Sequence, residues 1–137
     1  MSKALVIDTG PLVALLDRTE NNHIRCVDVF KDWRGQILTT EAVLTETLYL
    51  LNFSLQAQQN CLEFFLRGTI TLVPPSIKTL GRVQNLMHKY ADVPMDYADA
   101  SLVVLCEDFS INQVFTLDKR GFSVYRRNGR EAFNVIP

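Results

Sequence analysis

The stretch LVIDTGPLVALLD, at residues 5–17, begins the fold of this chain. Its first three residues form a continuous apolar run, which is typical of a strand buried on both faces of a parallel sheet. Gly10 and Pro11 follow, and because proline favours the first turn of a helix, a helix is predicted through about Leu16. Asp8 therefore stands at the point where a buried strand turns into a helix.

The alternation of strand and helix continues along the whole chain. Apolar runs predict strands at 37–38, 70–73 and 114–117, and two short strands near a sheet edge at 122–125 and 133–136. Helical patterns lie between them at 23–33, 40–53, 54–66, 76–89 and 96–108. This order predicts a single domain over residues 1–137, a three-layer α/β/α sandwich with a mainly parallel central sheet.

Composition and charge narrow the class of protein. The 137 residues are 47% hydrophobic and 21% charged, which fits one domain with an ordinary core. The net charge of −1, from 14 Lys and Arg against 15 Asp and Glu, argues against a protein that coats duplex nucleic acid. No apolar run reaches the roughly 20 residues of a membrane span, and Asp8 interrupts the first run too early for a signal peptide. We therefore expect a cytoplasmic protein without membrane contact.

The three cysteines, Cys26, Cys61 and Cys106, lie far apart in apolar helical patterns. An odd number without close pairs argues against a disulfide framework and against a zinc knuckle. We expect three buried free thiols, because unpaired cysteine is among the residues most often buried.

Two acidic residues follow apolar strands. Asp8 and Asp118 stand where open α/β sheets bind ligands, outside the carboxyl ends of parallel strands. If the two strands are parallel neighbours, both carboxylates lie at one edge of the sheet. A cap on the following helix or turn is the alternative role for each, although the sequence after Asp118 offers no good helix.

A third acid, Glu46, lies within a predicted helix. Its neighbours at three and four residues' distance are Ala42, Val43, Tyr49 and Leu50, which predicts that this face of the helix is buried. A surface glutamate at the edge of the helix is the alternative.

A fourth acid, Asp99, has Leu102 and Val103 one turn ahead and Asp96 one turn behind. Asp96 fits the N-cap of this helix. Asp99 would then lie in the first turn, where the helix dipole stabilises a negative charge. The dipole contributes typically 0.3–1 kcal/mol, which does not offset a buried charge.

Convergence of Asp8, Glu46, Asp99 and Asp118 would need a compensating cation. Two unit charges about 4 Å apart repel by roughly 4 kcal/mol at an effective dielectric near 20. Oxygen ligands without Cys or His suit a hard ion, Mg²⁺ or Mn²⁺, rather than zinc. Such a site suits phosphodiester hydrolysis with one ion or two.

Four segments together resemble a known family. They are LVIDTGPLVALLD at 5–17, TTEAVLTETLYLL at 39–51, MDYADASLVVLCED at 95–108 and VFTLDKRGF at 114–122. In order and spacing they resemble PIN-domain nucleases, and most closely the VapC-type toxins of bacterial toxin–antitoxin pairs. The resemblance covers nearly the whole chain.

The resemblance implies a parallel-sheet α/β fold and Mg²⁺- or Mn²⁺-dependent endonuclease cleavage of single-stranded or loop RNA. It places the catalytic and metal-binding acids of the family on Asp8, Glu46, Asp99 and Asp118. Asp96 is an additional acid, either a fifth metal ligand or only the helix cap. The family also implies a homodimer and inhibition by a small antitoxin protein.

Hydroxyl, basic and aromatic side chains complete the set of candidate residues. Thr9 and Thr116 match hydroxyl positions that often flank the site in the family. A group of basic residues lies near the C-terminus: Lys119, Arg120, Arg126, Arg127 and Arg130. We expect these side chains either to contact RNA phosphates or an antitoxin, or to form a solvated surface. Tyr97 and Phe122 lie beside acids and are candidates for base stacking.

Two other functions stay open at this point. A catalytically inactive PIN-like module would bind RNA or a protein partner without turnover. A haloacid-dehalogenase-type phosphatase would use Asp8 as its nucleophile, but that class needs a second acid two residues later, where this chain has Gly10.

Overall fold

A computed structural model describes residues 3–137 and shows a central, parallel five-stranded sheet. The strands are β1 (Ala4–Ile7), β2 (Gln36–Thr40), β3 (Thr71–Val73), β4 (Gln113–Phe115), β5 (Arg126–Arg127), β6 (Glu131–Ala132) and β7 (Asn134–Ile136). The sheet has the order β3-β2-β1-β4-β7, and every neighbouring pair is parallel. The strands β5 and β6 form a separate antiparallel pair.

Helices connect the strands and flank the sheet. They are α1 (Thr9–Leu16), α2 (His23–Asp32), α3 (Glu41–Leu50), α4 (Leu55–Leu66), α5 (Ile77–Lys89), α6 (Tyr97–Phe109) and α7 (Lys119–Val124). The predicted α/β/α sandwich with a mainly parallel sheet is confirmed. No helix within residues 3–137 combines the length and the apolarity that crossing a bilayer requires.

The strand β1 lies at the centre of the sheet because Leu5, Val6 and Ile7 can all be buried there. Each is fully buried, and burial of such a side chain contributes about 1.5–3 kcal/mol. Ile7 is in register with Phe115 of β4, so these two strands end at the same edge. The chain order of the strands reverses between β1 and β4, and such a switch point opens a crevice at the carboxyl ends.

The prediction of a strand at 122–125 was wrong, because residues 122–124 form the second half of α7 and Tyr125 is its C-cap. Phe122 and Tyr125 are three residues apart, so one helix face carries both into the core. Their rings pack edge to face at 5.1 Å between centroids. An alternating apolar pattern in so short a segment does not distinguish a strand from one helical turn.

Two other predictions about the core are confirmed. The segment at 133–136 contains an edge strand, β7, which pairs with β4. Cys26, Cys61 and Cys106 are buried free thiols. Burial raises the pKa of Cys61 to about 11 and that of Cys106 to about 12, so neither thiol forms a thiolate readily at neutral pH.

Candidate active site

Asp8 lies at the sheet edge where β1 and β4 end. Its backbone N–H donates to the Phe115 carbonyl at 2.9 Å, which continues the parallel ladder by one residue. Its carboxylate accepts from the Thr9 backbone N–H at 2.8 Å and from the Thr116 hydroxyl at 2.7 Å. These bonds hold a carboxylate in place in a residue that is only 7% exposed.

The pKa of Asp8 is raised first by its burial and second by the carboxylates near it. Burial raises the pKa of Asp8 to about 6, and hydrogen bonds from Thr116 and Thr9 only partly counteract this. The charges of Glu46 and Asp118 raise the pKa further, so both carboxylates lie near enough to repel that of Asp8.

Asp99 enters the site from the start of α6. Asp96 is the N-cap of this helix, as the alternative role predicted, and it forms a reciprocal capping box with Asp99. The Asp99 N–H donates to Asp96 Oδ1 at 2.8 Å, and the Asp96 N–H donates to Asp99 Oδ2 at 3.2 Å. Burial, with the charges of Asp96 and Asp8, raises the pKa of Asp99 to about 8. The cap therefore holds Asp99 in place, but its hydrogen bond does not offset the burial and the neighbouring charges that raise the pKa.

Asp118 both caps a helix and faces the site. The expectation that no helix follows it was wrong, because Asp118 is the N-cap of α7 and Oδ1 accepts from the Gly121 N–H at 3.0 Å. Its own backbone N–H donates to the Thr116 hydroxyl at 3.0 Å. Thr116 thus links Asp8 and Asp118 through one hydroxyl group, which gives it a larger role than that of a flanking residue.

Glu46 reaches the site from α3, but not from a fully buried helix face. Tyr49 is 71% exposed and Leu50 is 48% exposed, so the prediction that this face is buried was wrong for these two residues, although it is confirmed for Val43. The buried residues of α3 are Val43 and Thr47, and Glu46 itself is half-buried at the rim of the site. Apolar neighbours in sequence did not distinguish a core contact from an exposed apolar surface.

One open cleft, with a volume of about 430 Å³, brings the four predicted acids together. They are Asp8, Glu46, Asp99 and Asp118. An adjoining cleft is also lined by two of these acids, Asp99 and Asp118. Its lining includes the predicted acid Asp96 and the basic side chain of Arg120. The result is a groove along the carboxyl edge of the sheet, with its most buried acid at the end of β1.

The donor chemistry of the cleft fits a hard divalent cation that keeps part of its water shell. Within residues 3–137, no three His, Cys, Asp or Glu side chains lie in an arrangement that could hold a metal ion as they stand. Mg²⁺ commonly binds through one or two carboxylates and keeps several waters, so an open cleft of carboxylates suits it. The buried Thr9 hydroxyl, which also lines the cleft, has no hydrogen-bond partner among the described residues. An ion bound in the cleft, or a water bound to that ion, would find a further oxygen there.

The sequence model of the PIN domain matches residues 5–128. This chain belongs to the PIN-domain family. The match spans all four acids of the cleft and ends within the β5–β6 hairpin.

One ribonuclease sequence and several solved structures are similar to this PIN domain. Ribonuclease VapC26 of Mycobacterium tuberculosis is 29% identical over 135 residues, which are 97% of this chain and 100% of that protein. The crystal structure of VapC20 of the same organism, a sarcin-ricin loop cleaving toxin, has a TM-score of 0.80 at 15% identity, over 90% of this chain and 97% of that one. VapBC2 of Rickettsia felis, bound to a promoter DNA fragment, has a TM-score of 0.68 at 14% identity, over 98% and 99% of the two chains. At these identities the solved structures show a shared fold.

Two residues of the PIN domain site were missed in the sequence. Glu20 lines the main cleft from the connection between α1 and α2, where charged residues without periodicity look like an ordinary solvated loop. Tyr125 was assigned to a strand, yet its hydroxyl lies 3.5 Å from Asp99 Oδ2. Burial and the carboxylates of the site raise the pKa of Tyr125, so it remains a protonated donor.

The basic residues near the C-terminus divide into two groups. Arg126 donates to three carbonyl groups around the end of α7, and Arg127 is largely buried and pairs with a glutamate of β6. These two side chains make contacts within the fold, which neither the phosphate or antitoxin contact nor the solvated surface predicted. Lys119, Arg120 and Arg130 are exposed, and of these Arg120 lines a cleft.

The two aromatic candidates also differ. Phe122 is fully buried between Tyr125 and Phe133, so it cannot stack on a base. Tyr97 is 41% exposed at the start of α6, so it remains a candidate for base stacking.

Proposed function

We propose that this protein is an endoribonuclease that depends on Mg²⁺ or Mn²⁺, cuts single-stranded or loop RNA, and acts as the toxin of a toxin–antitoxin pair. The observation that carries the proposal is the shared cleft of Asp8, Glu46, Asp99 and Asp118. The similarity to Ribonuclease VapC26 and the likeness to a loop-cleaving toxin support the same reaction class.

The side chains of the cleft have distinct parts in this proposal. A bound divalent cation would polarise the phosphoryl group and activate a water for attack. Asp8 would hold the cation from the end of β1, where two hydrogen bonds already fix its carboxylate. Asp99 and Asp118 would hold it from the starts of α6 and α7, and Glu46 from the rim. Burial, and after it the charges of neighbouring carboxylates, raises the pKa of Asp8 and of Asp99. Both causes disfavour the ionised carboxylates, and a bound cation would favour them.

The test is cleavage of purified RNA, both structured and unstructured, in Mn²⁺, in Mg²⁺ and in EDTA. We expect internal cuts in unpaired segments that require the metal and stop on chelation. Binding of RNA without any cut in either metal would instead favour the inactive PIN-like module.

Arg120 is proposed to contact an RNA phosphate on the side of Asp118. Arg120→Ala is expected to raise KM for RNA about tenfold, with kcat little changed. The slope of log K for RNA binding against log salt concentration should become shallower by roughly 0.7, the contribution of one single-strand phosphate contact. Arg130→Ala is the matched control, since it removes the same charge from an exposed residue that lines neither cleft. Equal salt dependence in both variants would exclude a specific phosphate contact of Arg120.

Exposed apolar residues are the basis for two proposed partners, an antitoxin and a second copy of this chain. One surface, formed by Tyr49, Leu50, Phe53 and Leu55, adjoins the cleft through Leu50 and is proposed to bind an antitoxin. Solved relatives include a toxin–antitoxin complex of Klebsiella pneumoniae, with a TM-score of 0.65 at 14% identity, over 88% of this chain and 92% of that chain. Large exposed apolar surfaces of this kind mark interaction sites.

A second apolar surface, formed by Leu72, Ile77 and Leu80, is proposed as the homodimer contact. Ile77 is 85% exposed, and Ile77→Glu is expected to convert a dimer into a monomer in light-scattering measurements. Ile24→Glu, on α2, introduces the same change at a residue that is 74% exposed and should leave the dimer intact. A monomeric wild-type protein at about 100 μM would exclude the homodimer.

A further inference from the structure

Tyr125 lies behind the acids of the cleft, between the start of α6 and the end of α7. Its side chain is fully buried, and its hydroxyl donates to the Pro94 carbonyl at 2.8 Å. The same hydroxyl lies 3.5 Å from Asp99 Oδ2, which is too long for a strong bond but close enough for polar contact. Because Pro94 comes two residues before the cap of α6, this hydroxyl holds the segment from which Asp99 is presented.

The position of the hydroxyl is well determined by packing. The Tyr125 ring packs edge to face against Phe122, at 5.1 Å, and against Tyr90, at 5.2 Å. Two such contacts restrict both the tilt and the translation of the ring. The oxygen therefore has a defined place relative to α6 and α7.

Gly121 provides the space that Tyr125 and Asp118 share. A Cβ atom at this residue would lie 2.6 Å from Asp118 Oδ2 and 3.0 Å from the Tyr125 hydroxyl oxygen. Neither distance is compatible with an unmoved neighbour. The absence of a side chain at Gly121 thus allows the Asp118 carboxylate and the Tyr125 hydroxyl to approach the same point.

We propose that Tyr125 and Gly121 are positioning residues that set the separation between Asp99 and Asp118, and thereby the affinity of the cleft for a divalent cation. This inference rests on the proposed function. Neither residue would touch the ion: Tyr125 acts through Asp99 and the loop at Pro94, and Gly121 acts through Asp118. Residues of this kind, behind the ligands, commonly change metal affinity by 10- to 100-fold.

The test measures Mn²⁺ binding without RNA, from the electron paramagnetic resonance signal of the free ion. Tyr125→Phe keeps the ring and removes the hydroxyl, and it is expected to weaken Mn²⁺ binding about 10- to 100-fold. Gly121→Ala is expected to weaken it in the same range, because the methyl group displaces the Asp118 carboxylate. Alanine also favours a helix over glycine, so this variant tests the site even if Tyr125→Phe folds poorly.

Tyr90→Phe is the matched control. It removes another buried tyrosine hydroxyl, which accepts from the Arg126 N–H at 3.1 Å, and Tyr90 lines neither cleft. We expect it to lower the melting temperature without changing Mn²⁺ affinity. Wild-type affinity in both Tyr125→Phe and Gly121→Ala, or an equal loss in Tyr90→Phe, would overturn the inference. A wild-type protein that binds no Mn²⁺ would overturn the proposed metal site itself and this inference with it.

Discussion

Replacement of Asp99 by asparagine is expected to reduce Mn²⁺-dependent RNA cleavage by at least about 100-fold. Loss of a residue that only supports a ligand typically costs 10- to 100-fold, so loss of a ligand charge should cost no less. Asp8→Asn should have an effect at least as large, because Asp8 is the most buried of the four acids and its carboxylate is held by Thr9 and Thr116. The measurement is the single-turnover cleavage rate at saturating RNA.

The helix that carries Asp99 also offers a matched control. Asp108 is an exposed acid near the other end of α6 and lines neither cleft. Asp108→Asn makes the same chemical change on the same helix and should cleave at the wild-type rate. If Asp99→Asn cleaves within about threefold of wild type while Mn²⁺ is still required, Asp99 is not a metal ligand.

The metal-free protein is expected to lose stability as the pH rises from about 4 to about 9. Asp8 and Asp99 have folded-state pKa values of about 6 and about 8, above the ordinary value of 3.8. A raised carboxyl pKa stabilises the fold fully below the unfolded pKa, and this stabilisation disappears as the pH rises through the folded pKa. For Asp8 the change from 3.8 to about 6 corresponds to about 3 kcal/mol, at roughly 1.36 kcal/mol per pKa unit.

Asp99 extends the loss of stability to higher pH. For each pKa unit, the change in the free energy of unfolding is smaller than for Asp8, because the Asp99 carboxyl group is partly exposed to solvent and screened. Asp99→Asn is therefore expected to unfold at higher urea concentration than wild type at pH 9 in EDTA. At about 100 times its Kd, Mn²⁺ should add about 2.7 kcal/mol to the wild-type free energy of unfolding. Urea denaturation at pH 5, 7 and 9 measures both effects. A less stable Asp99→Asn at pH 9 would show that this carboxylate is structural.

Much of the architecture could be predicted because it depends on local patterns. The run from Leu5 to Ile7 is apolar on both faces, and only a central strand of a parallel sheet buries such a run completely. Asp8 and Asp118 follow two strands that the structure shows to be parallel neighbours, so their proximity follows from the sheet. Asp96 and Asp99 are spaced as a capping box, and the structure contains one.

The errors arose where distant parts of the chain determine the outcome. Tyr49 and Leu50 are apolar yet exposed, because no other described element covers that face of α3. The segment at 122–125 could form a strand or a helical turn, and the contacts of Phe122 with Tyr125 and Phe133 favour the helix.

The spacing of apolar and polar residues along the chain determines the order of the strands and helices and the burial of β1. It also determines which acids lie next to strands or within helices. Those are local properties, because the periods of a strand and a helix extend over only a few residues. The shared cleft, the exposed apolar surfaces and the approach of Tyr125 to Asp99 required the folded chain. They join residues up to 108 positions apart, as Thr116 and Asp8 are, and such contacts depend on packing that no local period encodes.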